Sequence, residues 1–150
     1  VDKDSPYLKS IILNKGSKNN VKIGMAIVDN SYLVGKIIEV NYTNSRALLL
    51  SDLNSKIPVL LEPIDVHAVV SGTGKNYGVI EYTKDEYGQK IRGKEIIVYT
   101  SGYGGLFKSG LPVGTILADN LNKESKVSFF SDFRQLDYVK IVSYDIGSNN

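Results

Sequence analysis

The sequence predicts an all-β chain, organised as two small β-barrel units in tandem with little or no helix. Short β-branched apolar runs recur at close spacing, separated by clusters of Gly, Asn, Asp and Ser. That is the pattern of small barrels and sandwiches. No window keeps apolar residues at i, i+3, i+4 and i+7 long enough for a long helix. A third observation concerns the tandem arrangement. Val21-Lys22-Ile23-Gly24-Met25-Ala26-Ile27-Val28, followed by Leu33-Val34-Gly35-Lys36-Ile37, has an echo later in the chain. There, Ile91-Arg92-Gly93-Lys94-Glu95-Ile96-Ile97-Val98 precedes Pro112-Val113-Gly114-Thr115-Ile116.

The elements follow in order. Strands are expected at 7–13, 25–28, 33–40, 46–50, 57–61, 66–71, 79–82, 95–100, 115–118, 127–130 and 138–143. Alternation such as Ile57, Val59, Leu61 places every second side chain on one face. Turns are expected where the chain offers residues that tolerate positive φ. Lys18-Asn19-Asn20 follows the first strand, and Asp29-Asn30-Ser31 separates the second from the third. Gly72-Thr73-Gly74 and Asp85-Glu86-Tyr87-Gly88 interrupt the middle of the chain. Glu62-Pro63-Ile64-Asp65 is the expected linker, because proline disfavours a continuous central strand. One helical turn is expected at 132–136, capped by Ser131 or Asp132.

Composition narrows the function classes. The chain has 150 residues, 42% hydrophobic and 23% charged, which are globular values. Such a length buries about 70% of the unfolded surface, and each half alone would be marginal. The net charge is +2, with 18 basic residues interspersed among 16 acidic ones. A nucleic-acid footprint usually has clustered Lys and Arg, so no nucleic-acid partner is expected. There is no Cys and a single His, His67. Thiol chemistry, disulfides and zinc sites built on Cys or several His are excluded.

The glycine-rich stretches Gly72-Thr73-Gly74 and Gly102-Tyr103-Gly104-Gly105 complete no phosphate-binding fingerprint. They are read as tight loops. Ser101, with His67 and Asp52, offers the ingredients of a serine hydrolase of chymotrypsin-like architecture. That is the alternative function, but a triad needs its members converged, and His67 lies within a strand pattern. No catalytic residue, metal or cofactor is therefore assigned. The exposed-aromatic candidates are Tyr77, Tyr82, Tyr87, Tyr99, Tyr103 and Phe107. Tyr82 and Tyr99 suit strand faces, while Tyr103 and Phe107 suit a partner-binding loop.

Several segments stand in a telling order. They are Leu13-Asn14-Lys15-Gly16-Ser17-Lys18-Asn19-Asn20-Val21-Lys22-Ile23-Gly24-Met25-Ala26-Ile27-Val28, then Leu33-Val34-Gly35-Lys36-Ile37 and Ser45-Arg46-Ala47-Leu48-Leu49-Leu50-Ser51-Asp52, leading to Ile57-Pro58-Val59. The most specific is Thr100-Ser101-Gly102-Tyr103-Gly104-Gly105-Leu106-Phe107-Lys108-Ser109-Gly110-Leu111-Pro112-Val113-Gly114. Together, and in this order across nearly the whole chain, they resemble the rod shape-determining MreC family. Asn20 stands where the family usually has Gly, Tyr103 where it has Leu, and Lys108 where it has Pro.

The echo and the proline segment place two six-stranded-type barrel domains packed in tandem at 1–62 and 63–145, the polar C-terminus reads as a disordered tail at 146–150, and the resemblance likewise implies two β domains. It implies a non-catalytic scaffold of cell-wall elongation that maintains rod shape. The protein would lie in the periplasm or at the outer face of the cytoplasmic membrane, held by an N-terminal membrane helix outside this chain. Implied partners are the elongation-specific penicillin-binding transpeptidase, MreD, MreB indirectly, and further copies of itself as dimer or filament. The motif loop is the implied contact: Ser101, Gly102, Tyr103, Gly104, Gly105, Phe107, Lys108, Gly110, Pro112 and Gly114.

Overall fold

The computed structural model describes residues 9–82, 95–102, 108–116, 125–136 and 138–142. Among the described residues, eleven strands run in chain order: β1 (Ser10–Leu13), β2 (Ala26–Asp29), β3 (Tyr32–Val40), β4 (Ser45–Leu49), β5 (Lys56–Glu62), β6 (Val66–Gly72), β7 (Tyr77–Tyr82), β8 (Ile96–Thr100), β9 (Pro112–Ile116), β10 (Ser125–Phe129) and β11 (Lys140–Val142). Each overlaps an expected strand. One single-turn 3-10 helix, Ser17–Asn19, is the only helical element among the described residues.

All pairings are antiparallel. Strands β10-β7-β6-β5-β8-β9 close into a six-stranded barrel. Its interior is written in the alternation of the sequence. Ile57, Val59 and Leu61 of β5 point inward with Val66, Ala68 and Val70 of β6, Ile96 and Val98 of β8, and Val127 of β10. Burying each such side chain is worth roughly 1.5–3 kcal/mol.

The other sheet has five strands in the order β1-β4-β3-β2-β11. A second six-stranded barrel is therefore not what the described residues form. Glu62-Pro63-Ile64-Asp65 is not a linker either. It is the tight β5–β6 turn inside the barrel, with a cis Glu62-Pro63 bond and the Asp65 N–H donating to the Leu61 carbonyl at 2.8 Å. A proline that ends a strand looks alike in a hairpin turn and in a linker. The chain crosses between sheets at 50–55 instead, through the buried Leu50, Ser51, Asp52 and Ser55. Strand β11, expected in the second unit, returns to pair with β2 of the first sheet.

The sheets share their cores. Ala26 and Leu33 of the five-stranded sheet belong to the barrel cluster, and Phe133 packs on both clusters. Ser131 Oγ donates to the Leu33 carbonyl at 3.2 Å. The segment expected as a helical turn at 132–136 is a turn: Gln135 N–H donates to the Asp132 carbonyl at 3.0 Å, and Asp132 Oδ1 accepts from Arg134 N–H at 3.0 Å. Arg134, through that N–H and then its side chain, holds the Asp132 carboxyl below the usual carboxylate range.

The expected turns match in detail. Asn20 adopts φ 66°, and Asn30 and Ser31 both have positive φ, as a two-residue hairpin between right-twisted strands needs. The internal echo has a structural counterpart. β2-β3-β4 and β8-β9-β10 are both three-strand antiparallel runs. In each, the Val-Gly glycine of the middle strand faces the next backbone. A Cβ on Gly35 would lie 2.1 Å from the Leu48 carbonyl oxygen, and one on Gly114 would lie 2.2 Å from that of Ser128.

Candidate partner-binding site

The motif loop leaves the barrel at the end of β8 and re-enters at β9. Of its expected residues, Ser101, Gly102, Lys108, Gly110, Pro112 and Gly114 are described, whereas Tyr103, Gly104, Gly105 and Phe107 lie outside the described residues. The two limbs of the loop meet at a residue the sequence reading passed over, Thr100. Its N–H donates to the Leu111 carbonyl at 2.9 Å, and its carbonyl accepts from Gly110 N–H at 2.8 Å. Its hydroxyl donates to the Lys108 carbonyl at 2.8 Å and accepts from Leu111 N–H at 2.9 Å. Thr100 is 1% exposed, so these bonds are shielded from water. Just beyond, Ser101 N–H donates to the Pro58 carbonyl at 3.2 Å. Gly102 (φ 72°) and Gly110 (φ 84°) supply the left-handed backbone that turns both limbs.

Lys108, Ser109 and Gly110 are exposed at the mouth, while Gly114 is buried between β8 and β10. Gly114, expected as a contact residue, serves barrel closure instead. Thr100 is visible in sequence only as the last residue of an alternating strand. Its inward position, shared with Ile96 and Val98, was the available signal. Thr100→Val keeps the shape and removes the hydroxyl, leaving the Lys108 carbonyl and the Leu111 N–H, both in part-buried bonds, without that partner. We expect a loss of about 2 kcal/mol and faster amide exchange at 108–111. An unchanged melting temperature would contradict the latch.

The other candidate aromatics divide as follows. Tyr99 is half-buried on the barrel exterior, opposite Leu60, as expected of a strand-face residue. Tyr77 is half-buried, with Lys126 Nζ 4.8 Å above its ring. Tyr82 is described by its backbone only, and Tyr87 lies outside the described residues. An exposed aromatic group that the sequence reading missed sits by the β2–β3 hairpin. Tyr32 and Phe130 stack with ring centroids 4.9 Å apart, and Tyr138 is 88% exposed. Tyr32 and Phe130 are far apart in sequence, so no local pattern marks them.

The hydrolase constellation does not assemble. His67 is exposed on the outer face of β6, between the inward-facing Val66 and Ala68. Asp52 is fully buried in the crossing segment, where its carboxylate accepts N–H bonds from Lys9 and from Asn54, the latter at 2.7 Å. It ties the start of β1 to the crossing segment, a structural task.

Comparison with known proteins bears on this arrangement. A family model described as "Rod shape-determining protein MreC, barrel core" matches residues 1–143. The cell shape-determining protein MreC of Cereibacter sphaeroides is 31% identical over 141 residues, covering 94% of this chain and 46% of that protein. The chain thus spans about half the length of the curated relative it matches. The crystal structure of MreC from Pseudomonas aeruginosa superposes with a TM-score of 0.75 at 28% identity, covering 92% of this chain and 91% of that one. A complex between penicillin-binding protein PBP2 and MreC from Helicobacter pylori matches with a TM-score of 0.53 at 17% identity, covering 89% and 97%, a likeness of fold. With a closed barrel, the motif loop at its mouth and a family match over residues 1–143, the chain belongs to the rod shape-determining MreC family.

Proposed function

We propose that this chain is the β portion of a non-catalytic scaffold of bacterial cell-wall elongation. The observation that carries the reading is the family match across residues 1–143. It works at the periplasmic or outer face of the cytoplasmic membrane, held there by an N-terminal membrane helix of the longer protein. Its principal partner is the elongation-specific penicillin-binding transpeptidase, in keeping with the PBP2 complex described for the Helicobacter pylori relative. It also engages MreD, reaches MreB indirectly, and self-associates.

The mechanism is that of a rigid platform. Thr100 clamps the described limbs of the loop, at 101–102 and 108–111, to the barrel, and a clamped limb spends less ordering entropy on binding. Apolar loop side chains supply the central contact and the exposed Lys108 part of a polar rim. Activation of the transpeptidase follows if the loop binds its active conformer better than its inactive one. No covalent chemistry is required.

The test measures binding of the purified chain to the extracytoplasmic part of the cognate transpeptidase. Phe107→Ser should weaken binding by about tenfold or more, with the melting temperature measured alongside to separate loss of contact from loss of fold. Loss in a Tyr32→Ser/Phe130→Ser variant alone would move the contact to the hairpin aromatics. Absence of binding by the unaltered chain would overturn the reading.

A further inference from the structure

Among the described residues the five-stranded sheet is open, with β1 and β11 as its edges. Because every neighbour in β1-β4-β3-β2-β11 is antiparallel, its two edges, β1 and β11, run in the same direction. They cannot pair antiparallel with each other, but one strand laid between them would run antiparallel to both. A groove of about 540 Å³ lies at this seam, lined by residues of both edges and of the segment after β1, among them Leu13, Lys15, Val21, Met25, Lys140 and Ile141. Its floor is the second core cluster. The side chains along the seam, Ile11, Leu13, Met25, Val139 and Ile141, pack on that cluster yet stay only partly buried.

We propose that the groove takes an extended acidic segment of a partner protein as a sixth strand, closing this sheet as the neighbouring barrel is closed. Alternation on β11 sets the chemistry. Val139 and Ile141 turn inward while Lys140 is exposed between them, and Lys15 is exposed at the exit of β1. An added strand with apolar residues inward and carboxylates outward meets both requirements. The residues lining the groove include two lysines and no carboxylate. A second copy is disfavoured on the same grounds, since a β11–β11 pair would bring two copies of the edge residue Lys140 close together, directly opposed in the register centred on it, and edge lysines resist such pairing. This site lies on the five-stranded sheet, apart from the motif loop, and stands whether or not that loop binds a transpeptidase.

The probe is a short fluorescent peptide of alternating glutamate and valine, offered to the 150-residue chain. Saturable binding is expected, with amide shifts confined to the groove's own segments, 10–15, 19–25 and 139–142. Affinity should fall about tenfold in a Lys15→Glu/Lys140→Glu variant, whose folding is checked by melting temperature. A lysine–valine peptide should bind about tenfold more weakly, and methylating alternate peptide amides should abolish binding. Equal binding of both peptides, tolerance of methylation, or shifts elsewhere would overturn the proposal. A concentration-dependent dimer with the same shifts would assign the groove to a second copy. Binding only after removal of 143–150 would assign it to the chain itself. Either result would also overturn the proposal.

Discussion

Gly114→Val should open the barrel between β9 and β10. Gly114 pairs with Val98 on one side and Phe129 on the other, so it sits where two strands press on a third. A Cβ there would lie 2.2 Å from the Ser128 carbonyl oxygen and 3.0 Å from Phe129 Cα, both backbone atoms that cannot rotate away. The strands must separate, and separation breaks the closure that leaves this barrel without edges. The expected cost is about 4 kcal/mol or more, read as a melting temperature lower by about 10 °C, with amide protection lost along β9 and β10. Gly114→Ala places its Cβ at the same point and should fail in the same way. A melting temperature within about 2 °C of the unaltered chain would show that the strands yield freely.

Leu61→Ala should destabilise the barrel by about 3 kcal/mol through a cavity in its core. Leu61 is 0% exposed, between Val66 on β6 and Val98 on β8. Both neighbours belong to strands fixed on two sides, so the walls cannot collapse to fill the space. The control is Ile12→Ala, at a side chain 51% exposed on the edge strand β1, where the change should stay below about 0.5 kcal/mol. Chemical denaturation of both variants separates the two outcomes. Similar midpoints would mean that Leu61 is not held by its neighbours as the packing requires.

Strand positions were legible because their signal is local. The alternation of Ile57, Val59 and Leu61, or of Val66, Ala68 and Val70, depends only on the two-residue repeat of an extended chain. Turn chemistry was legible for the same reason: Asn20 and Asn30 announce positive φ through their own side chains. The motif loop was legible as a glycine-punctuated insertion between two strands. Sheet membership was not. Nothing local tells β5 that it closes a barrel with β8, or β11 that it returns to β2 across the length of the chain.

The same limit hid Asp52, whose carboxylate joins the start of β1 to the crossing between sheets, and Thr100, whose hydroxyl pins both limbs of a loop. By itself, the sequence determined that this chain is β throughout, where its strands run, and that it carries no cysteine or histidine cluster for metal or thiol chemistry. Tertiary structure alone decided which strands pair, that among the described residues one sheet closes and the other is open, and which polar groups act as clamps. Strand pairing is a contest among distant segments for the same backbone hydrogen bonds. Its outcome follows from packing two sheets on a shared core, which no single stretch of sequence contains.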